Sequence, residues 1–150
     1  MTVVMGMSKF ERFFRLAAGL DVDKQDMKRY NDFVNDKVYG LLVRGAAAAR
    51  ANNRDVIEPQ DLPITAGLQE SIQEFEPIDE EIDLQPILEA IIERPPLDRH
   101  LGEETRAALP GIVGGISVAL AHTFKAIDPK LKNPMTEHWE RAFAIFDHLL

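Results

Sequence analysis

NNRDVIEPQDLP occupies residues 52–63. Within it Arg54 is followed by the β-branched pair Val56-Ile57 and, seven positions after the arginine, by Asp61. The stretch separates two runs of helical periodicity, so an extended pair and two opposite charges sit inside a helix–helix connection.

Working back from this loop, Met27, Tyr30, Val34, Val38, Leu41 and Gly45 recur at three- and four-residue spacing and predict a long helix ending near residue 52. Asp23, with Asp26 three residues on, is its N-cap. Before it, Phe10, Phe13, Phe14 and Ala17 predict a short helix over 8–18 that Gly19 stops. After the loop, Ile64, Leu68, Ile72 and Phe75 mark another short helix ending before Pro77. The pattern then starts again. Leu84, Leu88, Ile91 and Ile92 form a short helix closed by Pro95-Pro96. Leu109, Val113, Ile116, Leu120, Phe124 and Ile127 form a long one, which Pro110 should kink or delay. Trp139, Phe143, Phe146 and Leu150 stripe the last. Strand signals are almost absent, so the expected class is all-α.

A shift of 75 residues superposes the two halves: Pro59 on Pro134, Gly40 on Gly115, Val38 on Val113, Leu41 on Ile116, Ile64 on Trp139 and Leu68 on Phe143. Three amphipathic helices cannot bury a long central helix on all sides. The halves are therefore expected to pack face to face around one core, with the long helices crossing. The division is a flexible tail (1–7), a first half (8–76), an acidic linker (77–83, inside EPIDEEID) and a second half (84–150).

A short–long–short helical unit whose second loop carries Arg54, Val56-Ile57 and Asp61 resembles the histone fold. The segments FERFFRLAAGLDVDK, GLQESIQEF, PLDRHL and DPKLKNPMTEH make the whole chain, from about residue 8, similar to a bacterial family of unknown function in which two histone folds are fused in one chain. The resemblance implies tandem histone folds joined as an intramolecular pseudodimer. It also implies an extended Val56-Ile57 paired with the other half's first loop, and a structural clamp in which Arg54 grips Asp61 at the next helix's N-terminus. The second half departs from this pattern: Pro129 and Thr136 stand where Arg54 and Asp61 would be, so its clamp is expected to be missing. Pro63 and Pro110 lie where histone helices are continuous.

Net charge is −8. Residues 1–76 hold 10 Lys/Arg against 12 Asp/Glu and residues 77–150 hold 7 against 13, which argues against tight wrapping of nucleic acid. In a histone pair DNA touches the paired short helices and the two loop ends. Mapped onto this chain, the candidate DNA contacts are Lys9, Arg12 and Arg15 on the first short helix, opposite only Glu89 and Glu93, and Lys24, Lys130 and Lys132 at one end. The other end groups Arg54 with Arg94, Arg99 and His100. Acids accompany both ends: Asp21, Asp23 and Asp128 at one, Asp55, Glu58 and Asp98 at the other.

The four histidines lack metal-ligand spacing, and GIVGG lacks the lysine and preceding strand of a phosphate loop. No nucleophile–base pair appears, so neither enzymatic activity nor a metal or cofactor is expected. There is no cysteine, as in proteins of reducing compartments, and a cytoplasmic protein is expected. The apolar run 107–121 has 15 residues and three glycines, too short to span a bilayer. Two functions remain: a weak, sequence-tolerant DNA-binding protein, or a protein-interaction module, including self-association, that kept the fold without DNA.

Overall fold

A computed structural model describes residues 3–78 and 81–150. The elements are α1 (Met7–Ala18), α2 (Lys24–Ala51), β1 (Val56–Ile57), a 3₁₀ turn (Pro59–Asp61), α3 (Ala66–Phe75), α4 (Leu84–Ile92), β2 (His100–Leu101), α5 (Glu103–Ile127) and α6 (Thr136–Leu149). Local chemistry sets several boundaries. Gly19 ends α1 in the left-handed region at φ 63°, where a glycine carries no steric penalty. Asp23 accepts the Gln25 and Asp26 amides, and Asp26 reaches back to the Asp23 amide, closing a reciprocal cap at the start of α2. Pro63 blocks an early start to α3, which begins only after Thr65 caps the Leu68 amide.

The third helix of each half lies on the long helix of the other. α3 packs on α5, while on α2 the Phe33 ring stacks on Phe143 of α6 at 4.7 Å and meets Phe146 edge-on at 5.0 Å. Between the long helices, the buried hydroxyls of Tyr30 and Ser117 lie 2.7 Å apart. Ser117 Oγ donates to the Val113 carbonyl, so Tyr30 supplies the proton of the shared bond. One continuous core results, from Val4 to Phe146.

The first loop pairing expected from the sequence is present: β1 and β2 run parallel, Val56 beside His100 and Ile57 beside Leu101. Thr105 Oγ1 donates to the Ile57 carbonyl at 2.6 Å and locks the strand to α5. At the opposite end the two loops share a backbone hydrogen bond from the Asp21 amide to the Lys132 carbonyl, 2.7 Å.

Some expectations are corrected. The flexible tail does not extend through 3–7: Val4 and Met5 are buried, and the Val4 amide donates to Asn31 Oδ1 at 2.8 Å. The acidic segment, whose charge suggests a solvated linker, is anchored in its described part, since Ile82 is buried and Ile78 packs on the core; Asp79 and Glu80 lie outside the described residues. Pro110 does not delay α5, which starts seven residues earlier at Glu103 and continues through the proline. By length and composition α5 could cross a membrane, yet 61% of its apolar window is buried inside the protein, as befits a core helix.

The Gly40–Gly115 correspondence has no common physical cause. A Cβ on Gly115 would lie 2.4 Å from the Ile72 side chain and 3.0 Å from its backbone, whereas a Cβ on Gly40 meets nothing within 4 Å. Gly114 is equally tight, against the Phe75 ring at 2.3 Å. Gly115→Ala should therefore lose about 1–3 kcal/mol by forcing α3 off α5. Gly40→Ala, at an exposed helical site, should gain roughly 0.5–1 kcal/mol. Urea unfolding of both variants checks this, and equal midpoints would contradict it.

Candidate nucleic-acid interface

At the end where β1 meets β2, Arg50, Arg54, Arg94 and Arg99 each have an intramolecular partner. Arg54 makes a two-pronged contact to Asp61, with both N–O distances 2.5 Å. Asp61 keeps 8% of its surface exposed and also accepts the Glu58 amide at 2.8 Å. The preceding Asn53 takes a left-handed φ of 56°, which asparagine tolerates, turning the chain so that the Arg54 amide bonds back to Ala49. The Arg54 guanidinium holds the Asp61 carboxyl below the ordinary carboxylate range, against the effect of burial, and Asp61 in turn raises the arginine's pKa. Arg50 bonds Asp98, Arg94 bonds Asp36 at 3.2 Å while lying 5.3 Å from the Tyr39 ring centre, and Arg99 donates to the carbonyls of Arg54 and Asp98.

The other end is built differently. Lys24 is the first residue of α2, and Lys130 and Lys132 stand in the loop before α6; all three are exposed. The nearby acids are occupied mainly by backbone amides. Asp23 caps α2, and Asp128 Oδ1 accepts the Lys130 amide at 3.0 Å. Asp21 lies 3.9 Å from Arg15. Lys125 donates to the Leu131 carbonyl at 2.6 Å.

The absent second clamp has a substitute from the opposite half. Arg29 of α2 donates to Thr136 Oγ1 at 2.7 Å and lies 3.7 Å from Asp26, whose carboxylate accepts the buried Trp139 Nε1–H at 2.9 Å. Burial raises the Asp26 pKa despite these donors. The sequence pattern showed Asp26 only as a cap partner. The requirement of a buried tryptophan N–H for an acceptor was the signal available for the rest.

The central face is less free than the sequence suggested. Lys9 Nζ donates to the Glu81 carbonyl at 3.0 Å, which ties α1 to the linker. Arg12 and Arg15 are exposed, and the exposed face of α4 presents Glu89 and Glu93. Lys9, Arg12 and Arg15 thus share α1 but lie apart from the Lys24–Lys130–Lys132 end.

Arg54→Ala should lower the melting temperature by roughly 3–6 °C, because it leaves Asp61 uncompensated, whereas Lys132→Ala should change it by about 1 °C or less. The pH dependence follows from the depressed Asp61 pKa: its contribution is present above the ordinary carboxylate range and is lost as pH falls through its native value. The gap between parent and Arg54→Ala should therefore narrow in acid. Asp26 has the opposite sign, since a raised carboxyl pKa favours the folded state at low pH and ceases to do so as pH rises through it. Melting of parent and variant at neutral and strongly acid pH checks the first statement; a gap that widens in acid would contradict the clamp.

Comparison with known proteins agrees with this geometry. An uncharacterised protein of Aquifex aeolicus (strain VF5) is 30% identical over 143 residues, 95% of this chain and 82% of that protein. A crystal structure of a Thermus thermophilus protein superposes with a TM-score of 0.94 at 49% identity, covering 98% of this chain and 99% of that one. A crystal structure of an Aquifex aeolicus protein gives 0.82 at 26% identity, covering 98% and 97%. The histone from Methanopyrus kandleri gives 0.60 at 14% identity, covering 92% of each chain, which shows a shared fold. The model for the domain of unknown function DUF1931 matches residues 10–147. This chain belongs to the DUF1931 family, and its fold is that of a histone.

Proposed function

We propose that this is a non-enzymatic cytoplasmic protein that uses its histone fold to make weak, sequence-tolerant contacts with the phosphates of duplex DNA. The observation that carries this reading is the Lys24–Lys130–Lys132 end, where exposed lysines from both halves meet and carboxylates are turned to backbone amides. Lysines on loops and at a helix start suit phosphates rather than base edges. The net charge of −8 opposes approach over about a Debye length, roughly 8 Å at physiological salt, and keeps affinity low.

A second reading, a protein-interaction surface, has its own support. At the 75-residue register Glu70 and Glu74 on α3 correspond to Ile145 and Leu149 on α6, which are 40% and 70% exposed. At these two positions α6 exposes apolar side chains where α3 is acidic.

Fluorescence anisotropy with duplexes of different sequence separates the two. DNA contact predicts similar affinities for all duplexes and a steep loss as salt rises. Neutralising Lys9, Arg12 and Arg15 together should weaken binding to every duplex alike, by a smaller factor than loss of the lysine end because Lys9 is already engaged by Glu81. A parent protein that binds no duplex at low salt and high concentration would favour the protein-interaction reading.

A further inference from the structure

The two loop ends, related by the repeat, are electrostatically unequal, and the cause lies in where each long helix begins. At the 75-residue register Asp23 corresponds to Asp98 and Lys24 to Arg99. α2 begins at Lys24, so Asp23 is consumed as its cap. α5 begins only at Glu103, and its N-cap Gly102 has no side chain to offer. Asp98 is thereby released from capping and takes Arg50, while the chain beyond it runs extended as β2. The same exchange recurs around it: Asp36 takes Arg94 and Asp61 takes Arg54. Asp23 and Asp128 at one end thus bond amides and leave lysines exposed, whereas Asp36, Asp61 and Asp98 at the other bond the arginines themselves.

We infer that, of the two loop ends, only the Lys24–Lys130–Lys132 end grips duplex DNA, and that the Arg50–Arg54–Arg94–Arg99 end is closed to phosphates by its own carboxylates and backbone carbonyls. This rests on the DNA reading above and deepens it. A histone fold with one working end holds DNA at one point and leaves it straight, because bending requires contacts on both sides of the bend. The three lysines should contribute about −2.7 to the salt slope of log affinity, equivalent to roughly 40-fold weaker binding between 50 and 200 mM salt.

The test compares five proteins on one duplex carrying a dye at each end. Lys24→Gln/Lys130→Gln/Lys132→Gln should weaken binding by about tenfold or more at 50 mM salt, while Arg94→Gln/Arg99→Gln should change it less than about twofold. Asp36→Asn/Asp98→Asn releases Arg94 and Arg50 without removing a cation. It should tighten binding and steepen the slope by about 2, beyond Glu70→Gln/Glu140→Gln, which changes the net charge equally at a distance. Energy transfer between the dyes should stay constant as the parent binds. Melting curves confirm that each variant is folded. Equal losses from the lysine and arginine variants, or bending by the parent, would overturn the one-ended grip while leaving DNA binding intact. Absence of duplex binding by the parent would overturn both.

Discussion

α3 rests on Gly114 and Gly115 of α5 at a separation that leaves no room for a Cβ, and this contact joins the first half of the chain to the second. Its counterpart is looser and aromatic: α6 meets α2 through Phe33, Phe143 and Phe146. A long helix buried among its neighbours needs apolar surface on most of its circumference, and a three-helix half cannot provide it. Exchange of third helices supplies the missing cover and makes the core continuous. The Tyr30–Ser117 bond lies within that core, where a hydroxyl without a partner would be costly.

Once the halves are interlocked, their loops are forced together in pairs at two ends, and the pairs diverge. At one end the β-branched Val56-Ile57 forms a two-residue parallel ladder with His100-Leu101. At the other, the equivalent positions are Leu131 and Lys132. Leu131 is the buried member there, whereas Ile57 is the fully buried member of the first pair, so the inward position has moved by one residue. Moving by one residue in an extended segment exchanges inside for outside. It leaves Lys132 exposed, and among the described residues one backbone bond, from Asp21 to Lys132, joins the loops.

Charge placement follows the same geometry. A carboxylate just before a helix is drawn to the free amides of the first turn, and one that is not needed there can take a cation. Asp23 and Asp98 are repeat equivalents divided by this choice. Arg29 shows the reverse case, a cation that crosses from one half to steady the other where the second clamp is lost. The overall balance of charge conceals these differences, because the four arginines of one end are held by intramolecular acceptors while the three lysines of the other stay exposed.

Much of the architecture was legible in the residues alone. The Phe10–Phe14 and Met27–Gly45 spacings, the Gly19 stop and the Asp23–Asp26 cap act within a turn or two, so their local physics survives folding. The Arg54–Asp61 clamp was legible for the same reason, since its partners are seven residues apart on one loop. The burial of Val4 and Met5 was not legible because nothing in a short apolar N-terminus tells whether it will be covered, and Asn31, 27 residues on, accepts the Val4 amide only in the folded chain. Gly40 and Gly115 looked equivalent because a glycine's need for space is a property of its neighbour. The sequence by itself determined the helices, their order, the repeat and the clamp, because these depend on periodicity and short-range bonds. Which cations stay exposed, what replaces the missing clamp and which end can receive phosphates were decided by tertiary structure, because partners such as Arg50–Asp98, Arg29–Thr136 and Trp139–Asp26 lie 48, 107 and 113 residues apart and meet only when the halves interlock.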